Sequence, residues 1–165
     1  MRFTTKCILH TIILLLVYSC NKTSQTEFIL DPSKPVEVGI ESISDLGQEN
    51  MKINIYMINH SPVAGVQFEL TPNSFFEVDT VFGGRCEENN FSLRSNKQGR
   101  ILGFSMQGDH IPESNSASKS DNILFSILAK RLKAMDTALT IDPIIASSDA
   151  KKMDFVSIPF EVIGK

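Results

Sequence analysis

The sequence predicts an all-β protein, an antiparallel sandwich or barrel of roughly nine short strands, and three observations support this fold class. Segments of alternating apolar and polar residues recur along the chain, as half-buried strands require. Clusters of Gly, Pro, Asn, Asp and Ser separate these segments at the short intervals typical of antiparallel all-β folds. No segment of the 165 residues shows a convincing amphipathic helical pattern.

The N-terminus has the three parts of a secretory signal, in the order in which such signals carry them. A positively charged start precedes an apolar run from Ile8 to Val17, and small Ser19 precedes Cys20. The apolar run is shorter than the roughly 20 apolar residues that a membrane-spanning helix needs. We therefore expect a secretory targeting signal here, followed by a single domain.

Val17-Tyr18-Ser19-Cys20 resembles the lipobox of bacterial lipoproteins and departs from it only at Tyr18. The resemblance implies a signal peptide over residues 1–19 and lipidation of Cys20, with a polar tether completing residues 20–34. It also implies a lipid anchor in the cell envelope. Asn21 is not the Asp that retains enteric lipoproteins at the inner membrane, so in a cell with an outer membrane we expect that destination. An ordinary secretory signal or an uncleaved anchor is the alternative.

Nine strand-like segments follow the tether, and each is bounded by turn-forming residues. In Met51–Asn59 the apolar side chains fall on alternate positions, and Ser61–Pro72 repeats this pattern between two prolines. Residues 82–90, FGGRCEENN, are predicted to be a loop, and residues 107–120, the longest polar segment, are expected to be a flexible polar loop. The predicted strands are Val36–Ile40, Met51–Asn59, Val63–Leu70, Phe75–Val81, Phe91–Arg94, Arg100–Met106, Ile123–Lys133, Ala138–Ile145 and Phe155–Ile163.

Val63–Leu70, VAGVQFEL, resembles a strand of cohesin modules, and several other segments resemble cohesin strands in the same order. They are the segments Val36–Val38, Met51–Asn59, Phe76–Gly83, Gly99–Ser105, Asn122–Lys130, Leu139–Ile141 and Phe155–Val162. The resemblance covers about residues 35 to 164. Departures include Asn122 in place of a Gly and Pro72-Asn73 in place of the Asp expected after the strand.

The resemblance implies a cohesin-like jelly-roll β-sandwich over residues 35–165, related to bacterial carbohydrate-binding modules. Cohesins are non-catalytic and bind dockerin modules, largely through one sheet face and nearby loops. The calcium belongs to the dockerin, so no cofactor or metal is expected in this chain. The implied partner is a protein, with a dockerin-bearing protein as the leading candidate.

Composition argues against two other classes of partner, nucleic acids and sugars. The chain has 16 basic and 19 acidic residues and no basic stripe, which argues against a nucleic-acid partner. It has no Trp and two Tyr, so an aromatic platform for sugar rings is disfavoured. Polysaccharide binding nevertheless stays as an alternative because of the related fold. A structural subunit of an envelope complex is a further alternative.

Candidate partner-binding residues follow from the resemblance to the dockerin-facing sheet. Outward polar side chains on and beside the predicted hairpin after residue 90 are the first group. Gln67 and Glu69 point outward from their own strand, but the sequence does not assign that strand to either sheet. An Arg on such a face can anchor an interface. The hairpin candidates are Asn90, Ser92, Arg94, Asn96 and Arg100.

Catalysis is not expected. Asp109-His110 lies beside a Ser-rich segment, but adjacent residues of an extended chain point apart and no Gly-x-Ser-x-Gly motif is present. Glu113 and Asp121 are near in sequence to this pair, yet no ligand spacing supports a metal site. Cys86, the one cysteine beyond residue 20, is expected to be an unreactive thiol in a loop.

Overall fold

The computed structural model describes residues 28–134 and 136–161. Within them nine strands form two sheets, which confirms the predicted all-β sandwich. The predicted signal peptide, Cys20 and the end of the predicted last strand lie outside the described residues. Among the described residues, no helix is both long and apolar enough to cross a bilayer.

Each of the nine predicted segments contributes one strand, with bounds that differ by a few residues. The largest difference is in β1, which continues past its predicted end at Ile40 to Gly47. The strands are β1 Val36–Gly47, β2 Asn50–Ile58, β3 Val63–Thr71, β4 Phe76–Phe82, β5 Ser92–Ser95, β6 Arg100–Phe104, β7 Ile123–Arg131, β8 Thr140–Ser147 and β9 Phe155–Ile158.

The two sheets have the orders β4-β7-β2-β1-β9 and β5-β6-β3-β8. All pairings but one are antiparallel. β9 pairs in parallel with β1, with Val36 opposite Phe155, so the five-stranded sheet has one parallel pair. The parallel pairing follows from chain direction, because β9 returns to the edge of β1 after the chain has crossed from β8 in the other sheet.

The alternating apolar side chains meet between the sheets. Met51, Ile53, Ile55 and Met57 of β2 are fully buried, as their alternation predicts. From the facing sheet, Phe68 contacts Phe125 of β7 edge-to-face, with the ring centroids 5.5 Å apart. Burying one such aliphatic or aromatic side chain contributes about 1.5–3 kcal/mol before entropy. The alternating apolar pattern of these strands is therefore explained by the core.

The predicted loop at residues 82–90 contains a short helix, α1, over Gly84–Glu88. Gly83 and Gly84 both have positive φ, and this lets the chain turn sharply before the helix. The helix places Cys86 in the core, where it is 0% exposed. Cys86 is thus a core side chain rather than the loop thiol that was expected.

Candidate binding face

The outward side of the four-stranded sheet is here called the β5-β6-β3-β8 face. It brings together side chains from strands that are far apart in sequence, because β3 lies between β6 and β8. Gln67 and Glu69 lie on the same sheet and the same side as the hairpin candidates, which resolves their assignment. The face consists of Ser92, Arg94, Arg100, Leu102, Phe104, Gly65, Gln67, Glu69, Asp142, Ile144 and Ala146.

One cross-strand row holds both of the exposed large aliphatic side chains of the face. Arg94 is opposite Leu102, Leu102 is opposite Gln67, and Gln67 is opposite Ile144. Leu102 is 42% exposed and Ile144 is 49% exposed. Neighbouring side chains in such a row lie close enough to act as one surface. The centre of the face is therefore aliphatic, with one amide between the two aliphatic side chains.

Charged residues flank this aliphatic centre along one side, and Arg94 lies at one end of the aliphatic row. In the next row Arg100 is opposite Glu69, and Glu69 is opposite Asp142. The guanidinium of Arg100 donates to the Glu69 carboxylate over 3.3 Å, between exposed side chains. Exposed pairs of this kind contribute little to stability. The charges are consequently available to a partner, as in an interface with an apolar core and a polar rim.

Asn90 and Asn96 lie beside the face and have local structural contacts. Asn90 follows α1 with φ of 56°, and its amide donates to the Asp109 carboxylate over 3.3 Å. The Asn96 side-chain oxygen accepts from the backbone N–H of Arg100 over 2.9 Å and closes the hairpin between β5 and β6. Both side chains thus border the face, and Asn96 shapes its turn.

Sequence reasoning missed Leu102, Ile144 and Arg85. Leu102 and Ile144 are outward aliphatic residues between inward neighbours, so their alternation carries the signal. Arg85 is 8% exposed, and no single-sequence pattern marks it as buried. Desolvation by burial lowers its pKa.

Arg85 is the centre of a cluster of uncharged hydrogen-bond acceptors. The short helix α1 directs its guanidinium beneath the long polar segment, residues 107–120. Buried charges are costly unless they are fully hydrogen-bonded, and here both terminal nitrogens have partners. The two N–H groups of Nη1 are shared among four oxygens, Met57 O at 2.9 Å, Asn59 Oδ1 at 3.0 Å, Ser114 Oγ at 3.1 Å and Asn122 Oδ1 at 3.3 Å, and Nη2 donates to Pro112 O.

The Arg85 cluster fixes the long polar segment against the sandwich. Asn59 donates to Pro112 O over 2.9 Å, and Asn122 donates to Ser116 O and Ser118 O over 2.8 Å each. The segment was expected to be a flexible polar loop. Its buried bonds instead tie it to β2 and α1 at several points.

Asp109, His110 and Cys86, the residues with side chains suited to catalysis in the sequence, lie in different surroundings. Asp109 accepts from Ser105 Oγ over 3.2 Å, and His110 is exposed beside it. Burial raises the pKa of the Cys86 thiol to about 12, so the unreactive protonated form prevails. In residues 28–134 and 136–161, no group of three His, Cys, Asp or Glu side chains is placed to hold a metal ion.

Comparison of the sequence with protein-family models and with curated proteins finds no match. Comparison of the structure with solved structures finds cohesins. CaCohA2 of Clostridium acetobutylicum, solved in complex with CaDoc0917, is 20% identical with a TM-score of 0.55. The match covers 77% of this chain and 99% of that one.

Two further cohesins have the same fold. A non-cellulosomal cohesin of the hyperthermophilic archaeon Archaeoglobus fulgidus is 13% identical with a TM-score of 0.53, covering 79% of this chain and 92% of its own. The third ScaB cohesin of R. flavefaciens, in complex with a group 1 dockerin, is 9% identical with a TM-score of 0.51, covering 79% and 96%. The fold of this chain is therefore the cohesin fold, as its strand order suggested.

Proposed function

We propose that this protein is a non-catalytic interaction module that binds a protein partner of the dockerin kind through the β5-β6-β3-β8 face. The aliphatic row of that face, Leu102–Gln67–Ile144, is the observation that carries the proposal. Leu102 and Ile144 point away from the core of the sandwich, and burial against a partner would account for two exposed aliphatic side chains in one row.

The arrangement of charges supports a protein partner. Arg94 and Arg100 lie at the rim with Glu69 and Asp142, so the face offers both signs of charge beside its apolar centre. A partner helix with apolar residues along one side and mixed charges along its flanks complements such a face. The cohesin fold supports the same partner class, since one of the similar structures is a complex with a dockerin.

We also propose that the protein works at the cell envelope, held there by lipid on Cys20. The lipobox-like sequence supports this location, and outer-membrane placement follows in a cell that has an outer membrane. The module would then attach its partner to the envelope surface. This arrangement gives a role to a single interaction module on a short tether.

The test is a pull-down from envelope extract with the chain beginning at residue 20 as bait, with and without a calcium chelator. We expect one calcium-dependent partner that carries a dockerin-like repeat. The bait is repeated as Leu102→Glu, which puts a charge in the aliphatic row, and capture should fall at least about tenfold, as for a hot-spot residue.

Leu132→Glu is the matched control, because Leu132 is 54% exposed and lies outside the face. It should capture the partner as the unchanged bait does. Equal capture by both variants would refute the use of this face. Capture of calcium-independent partners alone would favour a general envelope subunit. Retention on polysaccharide beads without any protein partner would replace the proposal with glycan binding.

A further inference from the structure

The segment that precedes β1 is fixed against the end of the sandwich. The Asp31 N–H donates to His60 Nδ1 over 3.1 Å, and the Phe28 ring stacks on the His60 ring at 5.2 Å between centroids. His60 itself is only 8% exposed. The residues before β1 are therefore held at one defined place on the sandwich.

An apolar groove of about 730 Å³ lies at this place. It is open between the segment before β1, the long polar segment and the edge strand β9. Ile29 is 74% exposed, Leu30 48% and Val156 45%. Its apolar lining comprises Phe28, Ile29, Pro35, Ile58, Ala117 and Val156.

The lining of the groove carries the ammonium groups of Lys34 and Lys119 and one carboxylate, that of Glu37, so the charge of the lining favours anions. The Lys119 ammonium lies 4.9 Å from the centroid of the Tyr56 ring. A second carboxylate, that of Asp31, lies outside the lining, and both carboxylates keep their charge while they accept hydrogen bonds. Asp31 accepts from Ser33 Oγ over 2.6 Å, and Glu37 accepts from the Tyr56 hydroxyl over 2.7 Å. Apolar side chains flanked by lysines match the boundary between lipid headgroups and acyl chains.

We propose that this groove, with Leu30 beside it, rests on the membrane surface and takes anionic lipid headgroups. The proposal rests on the proposed lipid anchor at Cys20. Only residues 21–27 separate that cysteine from Phe28, and seven residues span at most about 25 Å. A bilayer that holds the anchor is therefore within reach of the groove. A segment of another molecule would first have to reach the groove by diffusion.

This contact leaves the β5-β6-β3-β8 face accessible. β1 begins and β2 ends at the groove, so the groove lies at one end of the sandwich. Leu102 and Ile144 lie on the outer face of the four-stranded sheet. Both are cross-strand neighbours of Gln67, in the middle of β3. The domain can therefore contact the membrane through the groove end of the sandwich while the β5-β6-β3-β8 face stays accessible to the partner.

The experiment uses the absence of tryptophan from the chain. Leu30→Trp introduces one fluorophore beside the groove, and Leu132→Trp introduces one in a part of the chain remote from it. The full chain is expressed with its leader, purified as the cell processes it, and added to phosphatidylglycerol-containing vesicles with brominated acyl chains. We expect a blue-shifted emission and strong quenching for Leu30→Trp, with neither effect for Leu132→Trp.

Three results would each overturn a different part of the proposal. Attachment without quenching of Leu30→Trp overturns the membrane contact and leaves the anchor intact. No attachment overturns both the anchor and the membrane contact. Quenching that is equal with phosphatidylcholine alone overturns the headgroup selection by Lys34 and Lys119. Partner capture by the same preparation is scored separately, so a failed membrane contact does not count against the binding face.

Discussion

Arg85 and Arg94 show how differently one residue type is used within a short stretch of chain. Arg85 is buried among neutral acceptors, whereas Arg94 is exposed on the binding face. The sequence marked Arg94, because its position alternates outward on a predicted strand. It did not mark Arg85, since the acceptors of Arg85 come from segments up to 37 residues away and meet only in the folded chain.

Replacing Arg85 is expected to be far more damaging than replacing Arg94. Arg85→Ala leaves buried acceptors of Asn59, Ser114 and Asn122 without their donor, so the free energy of unfolding should fall by about 3 kcal/mol. Arg94→Ala should change it by no more than about 0.5 kcal/mol. Urea denaturation followed by circular dichroism measures both. Similar losses for the two variants would show that the Arg85 cluster is not a stabilising unit.

At the scale of elements, strands were predictable and the short helix was not. Alternation fixes which side of a strand is buried, and Met51, Ile53 and Ile55 accordingly face the core. Helix α1 has five residues, too few to show an amphipathic period. Its position depends on the close approach of Gly84 to the β7 backbone, which is a contact between segments that the sequence does not display.

Gly84 should therefore be irreplaceable, and Gly47 provides a matched control. Both have positive φ, but a Cβ on Gly84 would lie 2.6 Å from the carbonyl oxygens of Ile123 and Leu124, while a Cβ on Gly47 meets open space. Gly84→Ala should lower the free energy of unfolding by about 3 kcal/mol through strain and overpacking. Gly47→Ala should cost about 1 kcal/mol. Thermal denaturation that ranks them equally would contradict the close packing of α1.

At the scale of the whole molecule, sheet order creates the binding face. β3 is adjacent to β6 and β8, so Gln67, Leu102 and Ile144 form one row although they span much of the sequence. Resemblance to cohesins indicated the hairpin side of this face. It did not reveal the aliphatic centre, because that centre exists only once β8 is paired with β3. The groove beside residues 28–30 likewise requires the packed end of the sandwich.

The most direct test of the binding face is methyl NMR of the protein with a purified dockerin-type partner. Leu102 and Ile144 report on the β5-β6-β3-β8 face, and Leu128, partly exposed on β7, reports on the five-stranded sheet. We predict that the partner shifts the methyl signals of Leu102 and Ile144 and leaves those of Leu128 unchanged. Shifts at Leu128 with unchanged Leu102 and Ile144 signals would place the partner on the opposite sheet and contradict the account.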